Sequence, residues 1–172
     1  GLRSVELNLS TVQCMDTQLP ERLLSIAEGY GVSPSEINLE ITESAMVYSM
    51  NTMRSVMEEL TKDGFSFALD DFGTGRANLS YLQNFPFRII KVDKSFLWAD
   101  GESEDNHVIF ENMLSLIRGL RREAVAEGVE TKEQRDMLIS HGVEYLQGFY
   151  YSKPVPEQDF MKYLEEFEMA KQ

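Results

Sequence analysis

The chain has 172 residues, 42% of them hydrophobic, and carries 29 acidic against 16 basic side chains, a formal net charge of −13. That length and apolar content suit one globular domain, or most of one, rather than a disordered tail, and the acidic balance speaks against binding long nucleic acid or an anionic membrane. One cysteine, Cys14, excludes a disulfide framework and a multi-cysteine zinc site, and two histidines, His107 and His141, leave little for histidine-rich metal chemistry.

Taken in chain order, Val5 to Leu9 reads as a short strand, with Ser10 where a helix cap belongs. Leu19 to Tyr30 spaces Leu19, Leu23, Ile26 and Ala27 helically and stops at Gly29 and Gly31. Ser33-Pro34-Ser35 signals a turn before a strand from Ile37 to Thr42. Between Ala45 and Leu60, the residues Met46, Met50, Met53, Val56, Met57 and Leu60 recur three or four apart, a one-faced helix whose methionines fill core. Phe65 to Leu69 is a buried strand, Ala77 to Gln83 a short helix and Arg88 to Val92 another strand. A charged loop, Trp98 to Asn106, with His107 as a surface residue, leads into a helix carrying Val108, Ile109, Met113, Leu116, Ile117 and Leu120. The strand Ala124 to Val129 follows, then a helix opened by Thr131 with Gln134 behind it and His141 at its end. A strand from Glu144 to Phe149 and a helix after Pro156 close the chain. No apolar run approaches the ~18 residues of a membrane span. The start at Gly1-Leu2 reads as a piece of something longer, expected in the cytoplasm.

Six β/α units of this kind imply a parallel sheet covered by helices. An open doubly wound sheet gathers ligand groups at one switch point, whereas a barrel collects them from many strands at one mouth. Here nearly every strand carries a polar group inside it or at its C-terminal end: Asn8, Glu40 with Glu43, Asp70-Asp71, Lys91 with Asp93, Glu127 with Glu130, and Gln147. That favours an α/β, TIM-type (β/α) barrel. Such a barrel takes about 250 residues, so this one is incomplete, with residues 1–172 expected to form a single domain lacking its N-terminal strand and first helices.

One acid at a strand end is usually solvated. Six strands in succession are harder to dismiss, because Asn8, Glu40 and Asp70 sit in apolar runs where an unpaired charge is costly. A shared group of cations would resolve that cost, and an oxygen-only ligand set suits Mg²⁺ or Mn²⁺ rather than zinc or copper. Asp70 and Asp71, expected to point in different directions, could serve two ions in phosphoryl chemistry. Lys91 among them would orient a water or neutralise a phosphate, or else be a plain ion pair. Asp71-Phe72-Gly73-Thr74-Gly75 is a loop able to approach a ligand or partner closely. These residues alone leave open an unrelated metal-dependent barrel hydrolase.

Six motifs resemble, in order, those of the EAL family, bacterial phosphodiesterases of the second messenger cyclic di-GMP. They are Leu7-Asn-Leu-Ser10, Leu39-Glu-Ile-Thr-Glu-Ser44, Leu69-Asp-Asp-Phe-Gly-Thr-Gly75, Lys91-Val-Asp-Lys-Ser-Phe96, Ala126-Glu-Gly-Val-Glu-Thr131 and Leu146-Gln-Gly-Phe-Tyr150. The resemblance implies hydrolysis of cyclic di-GMP to linear pGpG with two Mg²⁺ or Mn²⁺ ions, Ca²⁺ being inhibitory. It implies Asn8, Glu40 and Asp70 on the first ion, and Asp70, Asp71 and Glu127 on the second. Lys91 would position the attacking water, and Glu127 or Asp71 would take its proton. Glu43 would anchor the loop holding Gly73 and Gly75, while Glu130 and Gln147 match positions near the substrate. A homodimer and an N-terminal sensor or diguanylate cyclase-type domain are implied as partners. The family's Glu-Ala-Leu segment, with its metal-binding Glu and phosphate-binding Arg, is absent and would precede Gly1. Arg76 and the joint Arg121-Arg122-Glu123 also depart from the family pattern. The competing reading is an inactive EAL-type module that binds cyclic di-GMP or a protein as a regulator.

Overall fold

Strands β1 (Val5–Asn8), β2 (Ile37–Thr42), β3 (Ser66–Phe72), β4 (Phe87–Val92), β5 (Glu123–Ala126) and β6 (Tyr145–Leu146) pair in parallel in the order β1-β2-β3-β4-β5-β6. The computed structural model describes residues 2–47, 50–74, 79–97 and 104–169. Helices α1 (Thr11–Cys14), α2 (Leu19–Tyr30), α3 (Met50–Lys62), α4 (Leu79–Asn84), α5 (Lys94–Leu97), α6 (Glu104–Gly119), α7 (Lys132–Ser140) and α8 (Glu157–Met169) connect and follow them. With sequential neighbours throughout and helices between strands, the sheet curls into an incomplete TIM-type (β/α) barrel, as expected. Among the described residues no helix is long and apolar enough to cross a membrane.

The period of two along each strand separates two faces. Leu39 and Ile41, Phe67 and Leu69, Ile90 and Val92, and Ala124 and Ala126 point toward the helices and join the main core with Met53, Val56, Met57, Leu60, Leu114 and Ile117. The predicted methionine face is therefore core at Met53 and Met57, both fully buried, whereas Met50 is 38% exposed. Ala68, Ile89 and Val125 form a separate small apolar layer on the concave face. Both faces of β2 to β5 are thus occupied. β1 and β6 form the edges of the sheet, and all four β1 residues are exposed.

Capping explains where helices begin. Thr131 Oγ1 accepts from Gln134 N at 3.2 Å while Gln134 Oε1 accepts from Thr131 N at 3.0 Å, the reciprocal box foreseen for α7. Ser10 and Gln13 make the same box for α1. Several boundaries differ from expectation. β3 runs on to Phe72 rather than stopping at Leu69, β5 and β6 are shorter than predicted, and α5 went unforeseen. Residues 45–47 lie in a 3₁₀ turn ahead of α3, and the predicted loop ends early because α6 already starts at Glu104. The start predicted for α4 at Ala77, the loop residues Trp98 to Ser103, and Gly75 with Arg76 lie outside the described residues.

Candidate active site

Register sets Asn8 beside Glu40 and places Asp70 two residues further toward the C-terminal strand ends. Asn8 pairs with Glu40, Glu40 with Ala68 and Thr42 with Asp70, so each C-terminal strand end adds a polar group near its neighbour's. Lys91, 3% exposed, stands at the centre. Its Nζ lies 2.6 Å from Glu40 Oε1, 2.9 Å from Glu127 Oε1 and 3.2 Å from Asp70 Oδ1. An ammonium has three donors; Glu40 from β2 and Glu127 at the end of β5 accept hydrogen bonds from it, and Asp70 from β3 stands at ion-pair distance.

Asp71 joins this group through its backbone. Its φ is +56°, a left-handed conformation that aspartate tolerates better than most residues. The β3–β4 register shifts between Leu69 and Phe72. In a regular strand Asp70 and Asp71 would face opposite sides, as expected above. Instead, oxygens of Asp70, Asp71 and Glu127 lie within 4.8 Å of one another. The expected divergence of the two aspartates is thus corrected by one residue in the left-handed region.

The electrostatics follow from crowding. Burial lowers the basicity of Lys91, but hydrogen bonds to Glu40 and Glu127 and the charges of Glu127 and Asp70 outweigh it, so the ammonium is held above the usual lysine value. Burial raises Glu127, the Lys91 contact opposes that rise, and Asp70 and Asp71 add to it; the outcome is an elevated carboxyl. Asp71 is raised by burial and by the charges of Asp70 and Asp93. Asp93, despite burial, is lowered by hydrogen bonds from Ser95, whose N–H lies 2.9 Å from Oδ1, and from Lys94 N.

The group also contains a residue that sequence reading missed. Glu6, two residues before Asn8 and so on the same strand face, hydrogen-bonds to Glu40. Although the residue as a whole is exposed at the sheet edge, desolvation of its carboxyl, the Glu40 hydrogen bond and the Glu40 charge push it up to about 7.

Glu43, 3% exposed, anchors the loop after β3: its Oε2 accepts from Gly73 N at 2.9 Å. Gly73 has φ +96°, and a Cβ there would sit 2.8 Å from the Phe96 ring, so glycine is required on both counts. Asn8 is exposed, and Leu9 N beside it bonds to Glu40 O at 2.8 Å. Two expected residues stand apart from the carboxylates. Glu130 is exposed and its N–H bonds to Gln134 Oε1 at 2.7 Å. Gln147 lines a cavity of about 740 Å³ with Glu6, Asn38, Arg88, Val125 and Phe160.

Five carboxyl groups, Glu6, Glu40, Asp70, Asp71 and Glu127, thus share one ammonium. Asp70 Oδ1 and Glu43 Oε1 are buried with no aligned hydrogen bond among the described residues. Excess anionic oxygen, with lone pairs left over, fits hard divalent cations. Asp70, Asp71 and Glu127 are placed to hold one, and Glu40 and Asn8 lie alongside.

Comparison with known proteins places this geometry among relatives. A family model described as EAL domain matches residues 1–154. The cyclic di-GMP phosphodiesterase PdeL of Escherichia coli (strain K12) is 37% identical over 157 residues, covering 91% of this chain and 43% of PdeL. The EAL domain of Mycobacterium smegmatis DcpA superposes with a TM-score of 0.88 at 32% identity, covering 95% of this chain and 73% of that one. A manganese and cyclic di-GMP complex of Klebsiella pneumoniae BlrP1 superposes with a TM-score of 0.81 at 30% identity, covering 90% and 40%. The chain spans 20–43% of the length of the first curated relatives it matches.

Proposed function

The chain belongs to the EAL domain family, and on that premise we propose that it carries the hydrolytic centre of a phosphodiesterase that opens cyclic di-GMP to linear pGpG. Residues 1–172 are read as one EAL-type unit, working as a homodimer in the cytoplasm beneath a sensor or cyclase-type domain. The observation that carries the proposal is the convergence of Glu40, Asp70 and Glu127 on Lys91, with Asp71 turned in beside them.

In this reading Asn8, Glu40 and Asp70 hold one Mg²⁺ or Mn²⁺, and Asp70, Asp71 and Glu127 the other. Two such ions, when bound, offset the phosphodiester charge and acidify the attacking water. Lys91, kept protonated by its neighbours, is a donor rather than a base, and orients the water or a phosphoryl oxygen. Glu127 and Asp71, whose carboxyls burial and neighbouring carboxylates raise in the metal-free protein, are the groups placed to accept the proton of the water. The water oxygen bonds to phosphorus, the bond from phosphorus to the 3′ oxygen breaks, the water's proton passes to Glu127 or Asp71, and the leaving 3′ oxygen takes a proton from solvent. Glu43 fixes the loop that carries Asp71 through Gly73 N. Glu130 and Gln147 contact the substrate outside the carboxylate group.

Calorimetric titration of the full-length protein with cyclic di-GMP, first in Ca²⁺ and then in Mn²⁺, with product analysis on the same samples, tests this. Binding in both with pGpG in Mn²⁺ alone is expected. Binding without cleavage in Mn²⁺ would make the protein a regulatory module, and no binding would remove the substrate assignment.

A further inference from the structure

The two histidines meet on the outer helix layer, away from the carboxylates. His107 and Glu111 are four residues apart on α6 and so share one face. His141 follows the last turn of α7. The His107 and His141 rings stand edge to face with centroids 5.5 Å apart, and His141 Nε2 lies 2.7 Å from Glu111 Oε1. One ligand atom from each of the three lies within 4.8 Å of the others. Reading His107 as an isolated surface residue and His141 as a helix end captured each locally and missed their encounter.

His141 is held in a defined orientation. Its Nδ1 lies 2.7 Å from Met137 O, and a carbonyl only accepts, so the proton sits on Nδ1. That leaves Nε2, turned toward Glu111, as the nitrogen able to bind a cation. A histidine whose other nitrogen donates to a backbone carbonyl is the usual supporting arrangement of a metal-bound imidazole. Arg118, further along α6, donates to the His141 carbonyl, and Phe110 packs against the ring with centroids 6.0 Å apart. The site is nonetheless open: His107 is exposed and the Glu111 side chain is 45% exposed.

We propose that His107, Glu111 and His141 bind one divalent transition cation of the zinc class, clipping α6 to the end of α7. Two imidazole nitrogens and one carboxylate suit Zn²⁺ in tetrahedral coordination, with solvent in the fourth position. The donor chemistry separates this site from the oxygen-only one, which suits harder ions.

The test is a calorimetric Zn²⁺ titration of the full chain, repeated with Co²⁺ to read its visible absorption. His107→Ala is the principal variant, because an exposed helical position accepts alanine without loss of fold; Glu111→Gln is the second. The expected result is one Zn²⁺ per chain at this site and four-coordinate Co²⁺ bands. Both variants should weaken it by more than the roughly 10–100-fold that loss of an outer-shell partner costs, while Asp70→Asn leaves it intact. Undiminished affinity in His107→Ala, or loss in Asp70→Asn, would move the ion to the carboxylates. Absence of Zn²⁺ uptake would leave Glu111 and His141 an ordinary ion pair. Either result overturns the proposal.

Discussion

At the scale of single residues, Lys91 determines whether the concave face is tolerable without metal. Its side chain is 3% exposed and its three partners are 8–17% exposed, so removing it strands carboxylates in a poorly hydrated setting. Lys91→Met should destabilise the metal-free protein by about 3–5 kcal/mol, as breaking a buried ion pair does. Manganese should recover part of that loss in a denaturant titration, because the ion restores positive charge at the same carboxylates. Glu6 gives a pH signature. Its carboxyl is raised from 4.5 to about 7, so the folded state holds a proton that the unfolded state has released. Stability from this group is full below pH 4.5 and is lost as pH rises through 7. Glu127 and Asp71 are shifted in the same direction. Urea unfolding of the metal-free chain should therefore show decreasing stability across that window, with a shallower slope in Glu6→Gln; equal slopes would contradict the Glu6–Glu40 contact. Glu40, Asp70 and Lys91 were legible in the sequence because a charge inside an apolar strand is conspicuous. Glu6 was not, because it lies in a four-residue edge strand whose other side chains are exposed too.

At the scale of elements, two non-glycine residues among those described take a positive φ, and only one of them lies in the candidate site. Asp71 sits at φ +56° and turns its carboxylate toward Asp70 and Glu127; strain of this kind collects at functional positions. Arg121 sits at φ +57°, where the chain leaves α6, with Arg121 N bonded to Arg118 O and Arg122 N to Ile117 O. Glycine usually fills that position, and a left-handed L-residue costs ~1–2 kcal/mol. Part of the relief is offset by the greater freedom of glycine in the unfolded chain. Arg121→Gly should accordingly raise stability by about 0.5–1 kcal/mol, read as a higher denaturant midpoint with an unchanged slope. Sequence reading flagged this joint as unusual without seeing its conformation. It also ended β3 too early, since Asp70-Asp71 looks like a strand stop, whereas Asp70 pairs with Thr42 and the β3–β4 ladder resumes at Phe72 after an irregularity. β6 keeps only two residues as strand. After it, Gly148 passes so close to Val129 that a Cβ would lie 2.1 Å from Val129 O, a contact that apolar patterning does not encode.

At the scale of the whole molecule, the alternation of strands and helices was enough to foresee a parallel barrel, and strand-end polarity was enough to foresee which end gathers carboxylates around Lys91. The encounter of His107 with His141 was beyond reach, because it depends on how α6 and α7 lie side by side rather than on local spacing. Net charge bears on the reaction as well. A chain of net charge −13 repels an anionic dinucleotide and attracts divalent cations, so metal loading should precede substrate capture. The most direct test of the central claim is turnover of cyclic di-GMP by the full-length protein in ¹⁸O-labelled water with Mn²⁺, followed by mass spectrometry, beside Glu127→Gln. The account predicts pGpG carrying one ¹⁸O on its terminal phosphate, with the rate in Glu127→Gln reduced by about 10²–10⁴-fold, the usual contribution of a general base. Intact cyclic di-GMP, or an undiminished rate in Glu127→Gln, would contradict it.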